Sequence, residues 1–187
     1  AGRAVARQSG TGLSAGTAYG LAVALLVIFN VGLLIRLAAF RLNFPTLREW
    51  DGPMPASWPK VSVIVPCRNE AKGVETAMSS LLAQDYPNLE IVAVDDRSED
   101  ETGALLDALA AKDARLTVLH LKDLPEGWLG KNNALQQGAL RASGPWLLFA
   151  DGDVVFEPAA LKRSVAFAEA HGLGHFVALP QFETHGF

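Results

Sequence analysis

Three short apolar runs in this chain each stop at a polar, mostly acidic cluster, and that repeated ending limits the fold more than any other feature. Val61-Ser62-Val63-Ile64-Val65 runs into Pro66-Cys67-Arg68-Asn69-Glu70, with Pro66 read as the residue that stops the strand. Leu89-Glu90-Ile91-Val92-Ala93-Val94 runs into Asp95-Asp96-Arg97-Ser98, and Trp146-Leu147-Leu148-Phe149-Ala150 into Asp151-Gly152-Asp153. The first, a β-branched run, reads as a strand buried on both faces, the second as a strand, and the third as a buried strand. Stretches of helical period separate them. Glu70 to Ala83 places Val74, Met78, Leu81 and Leu82 on one face. A second helix starts after Ser98, where Ser98 and Glu101 have capping-box spacing, and reaches about Lys112. A third covers Asn132 to Arg141, and a fourth begins near Pro158 with Leu161, Val165, Phe167 and Ala168 as its apolar positions. Further strands are expected over 115–120 and 175–179. Alternating strands and helices predict an α/β fold: a mostly parallel, Rossmann-like sheet flanked by helices, with right-handed crossovers.

In such a sheet every strand delivers its C-terminal end to one edge, where open α/β folds bind ligands. An Asp-Gly-Asp triplet alone is equally well a polar turn. Three polar strand ends at one edge point to a site. Asp151 and Asp153 lie close enough to repel, so a cation beside them is favoured; hard oxygen ligands suit Mg²⁺ or Mn²⁺. Asp95 or Asp96 is suited to accept hydrogen bonds from a base or from ribose hydroxyls. Arg68 and Lys131 are suited to phosphate charge, and Lys131 stands where a helix N-terminus also favours anions. Taken alone, Lys131 reads equally as a solvated surface lysine. Glu99, Asp100 and Glu101 read as helix-start acids. Trp128, in a glycine-flanked loop, reads as packing rather than substrate stacking.

Composition narrows the function classes. The formal net charge of −4 gives no basic footprint for nucleic acid. The single cysteine, Cys67, excludes an internal disulfide and a cysteine-rich zinc site, and reads as a small buried hydrophobe rather than a nucleophile. The four histidines show no metal-ligand spacing.

The N-terminal third is different in kind. Residues 1–17 form a small, polar tail. No charged residue occurs from Ser9 to Ile35. A helix over 18–41 is long enough to cross a bilayer, with Asn30 at mid-depth free to bond a neighbouring helix. Arg36, Arg41 and Arg48 lie on its C-terminal side and Arg3 and Arg7 on its N-terminal side, which by one charge favours a cytoplasmic location for the C-terminal domain. A proline-rich linker occupies 42–59, its Trp and Phe residues suited either to the membrane interface or to packing on the next domain.

These residues carry a resemblance. Val61-Ser62-Val63-Ile64-Val65-Pro66 with Asn69-Glu70, then Val94-Asp95-Asp96-Arg97-Ser98 with Asp100 and Thr102, then Lys131 with Ala134-Leu135 and Gly138, then Asp151-Gly152-Asp153, resemble the successive motifs of the family 2 inverting glycosyltransferases. The resemblance covers about residues 60–182 and implies the nucleotide-diphospho-sugar transferase fold. It implies that Pro66, Glu70, Asp95 and Asp96 surround the nucleotide and that Lys131 lies beside the donor. It also matches Asp151 and Asp153 to a metal-binding Asp-x-Asp, Asp153 on the ion and Asp151 nearer the ribose or sugar. Gly127-Trp128-Leu129-Gly130-Lys131-Asn132 and the apolar span are similar to bacterial membrane glycosyltransferases of hopanoid, carotenoid or ceramide-type lipids.

The implied activity is inverting transfer of a sugar from a nucleotide-diphospho-sugar, a UDP-sugar by expectation, to a lipid or polysaccharide acceptor at a membrane. Nothing after Asp153 matches the family's general base or its later acceptor-side motif. Residues 60–187 therefore read as a donor-binding domain cut short, with the base and further spans expected beyond Phe187. Two rival readings stand beside this one. A nucleotidyltransferase making a sugar nucleotide would want a glycine-rich loop after the first strand, which Pro66–Glu70 lacks. A nucleotide-sugar-binding fragment without turnover is the other.

Overall fold

The computed structural model describes residues 14–42 and 46–180. Strands β1 (Val61–Cys67), β2 (Leu89–Asp96), β3 (Leu116–Leu121) and β4 (Trp146–Phe149) form one sheet in the order β3-β2-β1-β4. Every pairing is parallel. Helices α2 (Val74–Leu82), α3 (Thr102–Ala110), α4 (Gly130–Arg141) and α5 (Ala160–Ala170) flank it. The α/β fold with a mostly parallel sheet is thus the one the alternation predicts.

Side-chain alternation sorts the two faces. Val61, Val63, Val65 and Cys67 of β1 and Ile91 and Ala93 of β2 pack with Val74, Met78, Leu81, Leu106, Leu161 and Val165 from the helices on one face. Ile64, Val92 and Val94 pack with Ala134 of α4 on the other. Both faces of β1 and β2 are dry, which is why these strands read as continuous apolar runs.

Pro66 does not stop β1. The strand continues through it to Cys67, with Pro66 opposite Val94. Ala150 N donates to Ile64 O, so even-numbered residues of β1 direct their backbone groups toward β4. β4 ends at Phe149, so the N–H that Pro66 lacks has no partner to lose there. The strand expected over 175–179 is absent: those residues form no ladder, because no described strand lies alongside to pair with them. The capping box at Ser98 is absent too. α3 starts at Thr102 without a side-chain cap at Glu101; Asp100 Oδ1 accepts from Thr102 N at 3.0 Å, while the Ser98 hydroxyl accepts from Asn69 N. Trp128, expected to pack, is 41 % exposed.

At the sheet's N-terminal edge, Glu90 ties three elements together. It accepts from Ser62 Oγ, Ser143 N, Ser143 Oγ and Lys60 Nζ. Burial pushes its carboxyl up, but these four donors outweigh that and hold it down at about 2. A carboxyl depressed in the fold stabilises above its unfolded value of 4.5, and that stability is lost as pH falls toward 2. Glu90→Gln is expected to cost about 2 kcal/mol at neutral pH and to flatten the acid limb of a urea-midpoint titration.

Helix α1 spans Ala15–Leu42 and stands as a unit of its own. Its segment Ala15–Ala39 has a mean hydropathy of 2.5, is exposed throughout, and is long and apolar enough to cross a membrane. The Asn30 amide bonds its own helix, donating to Leu26 O at 2.8 Å, rather than needing a neighbouring helix. In the second unit, a 3₁₀ turn at Leu47–Glu49 precedes Trp50, which packs edge-on against Phe167 of α5 with ring centroids 5.1 Å apart. Trp58 packs likewise on Tyr86. Of the two uses open to the linker's tryptophans, packing on the domain is the one these two adopt.

Candidate functional site

The C-terminal ends of β1, β2 and β4 and the start of α4 enclose a cleft of about 390 Å³. From β1 and its loop come Pro66, Cys67, Arg68 and Glu70. From β2 comes Asp96, from α4 Gly130 and Lys131, and from the turn after β4 Asp151, Gly152 and Asp153. Seven of the eight residues singled out in the sequence therefore line one space: Pro66, Arg68, Glu70, Asp96, Lys131, Asp151 and Asp153. The eighth, Asp95, does not. Successive residues of a strand point to opposite faces. Asp96 falls on the α4 face and enters the cleft; Asp95 falls on the α3 face, where His120 Nδ1 lies 2.9 Å from its Oδ2.

Charge is arranged in pairs within the cleft. Lys131 Nζ donates to Asp151 Oδ1 at 2.6 Å. Arg97 holds Asp96 by two bonds, Nε to Oδ1 at 2.8 Å and Nη2 to Oδ2 at 3.1 Å. A Cβ on Gly130 would lie 2.5 Å from Asp96 Oδ2, so α4 begins on a glycine to let that pair sit against its first turn. Asp153 is exposed and, among the described residues, has neither a hydrogen bond nor an ion pair.

A divalent cation fits this donor set. Asp153 offers a free carboxylate, and Asp151, two residues away, is held by an exposed lysine rather than by buried partners. The described residues contain no group of three or more potential ligands, so the protein would supply two carboxylates and leave the other positions to phosphate oxygens and water. That division suits Mg²⁺ or Mn²⁺.

Cys67 lines the cleft as a buried thiol. Burial first, then the charges of Glu70 and Asp95, push its pKa up to about 12, which leaves no thiolate for nucleophilic chemistry. Iodoacetamide at about pH 8 is expected to leave Cys67 unmodified in the folded chain and to label it fully in denaturant, as counted by mass spectrometry.

A second hollow, of about 770 Å³, adjoins the cleft between the β1–α2 and β2–α3 loops. Four acids line it, Glu70, Glu99, Asp100 and Glu101, against one lysine, Lys72. Its excess of negative charge suits a diphosphate less well than the cleft that holds Arg68 and Lys131. The two loops are stitched together: Asn69 N donates to Ser98 Oγ, Glu70 N to Thr102 Oγ1, Ala71 N to Asp100 Oδ2 and Glu99 N to Asn69 Oδ1. These roles of Ser98, Thr102 and Asn69 are not evident from the sequence, and neither is that of His120. Only the β3 alternation, which puts His120 on the same face as Val118, could have signalled the last.

The model of a family described as "Glycosyl transferase family 2" matches residues 62–184. A curated relative from Campylobacter jejuni, a GalNAc(5)-diNAcBac-PP-undecaprenol beta-1,3-glucosyltransferase, is 38 % identical over 96 residues, 51 % of this chain and 30 % of its own length. Two solved structures are similar in fold. The mannosyltransferase PcManGT from Pyrobaculum calidifontis, in complex with GDP-Man and Mn²⁺, superposes with a TM-score of 0.61 at 32 % identity over 80 % of this chain and 43 % of that one. S. aureus TarS 1–349 in complex with UDP gives 0.52 at 32 % identity over 60 % of this chain and 33 % of that one. The chain spans about a third of the length of the curated relatives it matches.

Proposed function

The chain belongs to glycosyl transferase family 2, and from that premise we propose that the cleft binds a nucleotide-diphospho-sugar, most simply a UDP-sugar, for inverting transfer to a lipid or glycan acceptor. The observation that carries this reading is the convergence of Arg68, Asp96, Lys131, Asp151 and Asp153 on one cleft at the strand ends. The UDP and GDP-Man complexes of similar structures support the donor class, and the undecaprenol-linked substrate named for one relative supports a lipid-linked acceptor.

Each side chain then has a task. Asp96, oriented by Arg97, accepts from base or ribose donors at the end of β2. Lys131 and Arg68 meet the diphosphate, Lys131 from the first turn of α4, where backbone N–H groups add to the attraction. Asp153 and Asp151 would hold the divalent cation, with Asp151 turned also to the ribose or sugar. When bound, that cation supplies charge stabilisation for the departing diphosphate. An acceptor hydroxyl needs a base, and no described residue takes that role: of the two described acids after Asp153, Glu157 pairs with Arg48, and neither it nor Glu169 lines the cleft. Glu183 lies outside the described residues. In this reading the base and the acceptor side lie outside the described residues. Residues 60–187 act as the donor-binding domain, and the segment 18–41 anchors it to a bilayer, with the domain on the cytoplasmic side.

Titration calorimetry of the 187-residue chain in detergent tests the donor site. Binding of UDP that requires Mn²⁺ or Mg²⁺ is the expected result. Absence of UDP binding with either ion refutes the reading.

A further inference from the structure

On the reading of the cleft as a nucleotide-sugar site, we propose that His120 is a positioning residue for it: an imidazolium clamped between two carboxylates that fixes the end of β2 and, through it, the Arg68–Glu70 wall. His120 Nδ1 lies 2.9 Å from Asp95 Oδ2, and its Nε2 lies 3.0 Å from Asp107 Oδ1. A carboxylate only accepts, so both ring nitrogens must carry protons for both bonds to form, and that species is the cation. Helix α3 leaves room for this pair by carrying a glycine beside it. A Cβ on Gly103 of α3 would stand 2.7 Å from Asp95 Oδ2 and 3.3 Å from His120 Cε1.

The clamp reaches the cleft through consecutive bonds. Asp95 Oδ1 accepts from Ser98 N at 3.1 Å, and Ser98 Oγ accepts from Asn69 N at 3.1 Å. Asn69 stands between Arg68 and Glu70, two residues of the cleft wall. The two residues at these bends, Asn69 with φ 55° and Arg97 with φ 58°, are non-glycine residues in the left-handed region. Such conformations persist when surrounding bonds over-determine them, so loosening the Asp95 anchor frees both bends.

The charged groups acting on the ring are Asp95 from β2 and Asp107 from α3. Hydrogen bonds first to Asp95 and then to Asp107 raise the His120 pKa above its ordinary 6.5. The Asp107 arm is solvated, its side chain 61 % exposed against 11 % for Asp95, so Asp95 carries most of the effect. A raised histidine pKa means that the clamp is complete at low pH and lost as pH rises through that raised value.

The decisive experiment tracks the His120 ring by NMR in the 187-residue chain in detergent, from about pH 6 to about pH 9. Over the same range it measures amide exchange at Ser98 and Asn69, corrected for intrinsic rate, and affinity for UDP with Mg²⁺. The ring is expected to titrate above 6.5, with exchange at both amides accelerating at the same midpoint. UDP affinity is expected to fall about fivefold across that midpoint, the low end of typical coupling between linked sites. His120→Gln should bind at the weaker level at every pH, and Asp107→Asn should lower the midpoint. A ring midpoint at or below 6.5, or a His120→Gln profile identical to wild type, overturns the proposal. If UDP fails to bind at any pH, the donor-site reading falls; amide protection that ignores the ring's titration then overturns the clamp separately.

Discussion

Asp153→Ala is expected to weaken metal-dependent UDP binding by about 100-fold while leaving thermal unfolding unchanged. The two halves of this prediction rest on one observation. Asp153 is exposed and makes no hydrogen bond or ion pair among the described residues, so nothing in the fold depends on it. Its carboxylate is the one at the Asp-Gly-Asp turn that no cation already neutralises, because Lys131 stands on Asp151. Removing it takes away the free half of the donor set, and an ion held by one lysine-paired carboxylate is held weakly. Asp153→Asn is expected to behave similarly, since a neutral amide is a poor ligand for a hard divalent cation. Calorimetry with UDP, with and without Mn²⁺, reads the loss, and a melting curve shows that it is not unfolding.

Gly138→Val acts on the fold instead and is expected to lower stability by roughly 3 kcal/mol, or about 10 °C in Tm. Helix α4 crosses β1 and β2 at a glycine. A Cβ at position 138 would lie 2.4 Å from Ile64 Cγ2 and 3.1 Å from Val94 Cγ2. Ile64 is fully buried in the central strand and cannot move aside, so the helix must lift. Lifting α4 also withdraws Gly130 and Lys131 from the strand ends, so nucleotide affinity should fall with stability. Gly138→Ala offers a graded comparison. Its helix propensity gain of about 1 kcal/mol opposes a smaller overlap, and its net loss should be well below that of valine.

How much of the molecule is legible in its sequence depends on which force shaped each part. Burial on both faces leaves continuous apolar runs, so β1 and β2 can be read directly from residues 61–65 and 89–94. The run 146–150 marks β4 as well, but β4 ends the described sheet with Leu147 and Phe149 exposed and is not the buried strand its composition suggests. The meeting of six polar side chains in one cleft is a consequence of the parallel sheet. Position within a strand is harder. Pro66 looks like a terminator because its missing N–H costs a bond in a central strand; β4 stops short, so the cost never arises. Asp95 and Asp96 look interchangeable, yet alternation sends one to His120 and the other to the cleft. Ser98 has the right spacing for a cap, but its hydroxyl is used across loops, a contact between residues 29 apart that no local pattern encodes. Residues 175–179 have strand composition but no partner strand among the described residues, and a strand is a property of the pair.

The nucleotide's resting place decides the matter most directly. A crystal structure of the chain with UDP and Mn²⁺ should show the diphosphate between Lys131 and Asp153, the ion on Asp153, and the base toward Asp96. UDP bound outside this cleft, in the acidic hollow of Asn69–Lys72 and Glu99–Glu101 or elsewhere, with Asp153 free of metal, would contradict the assignment of the strand-end carboxylates to the donor.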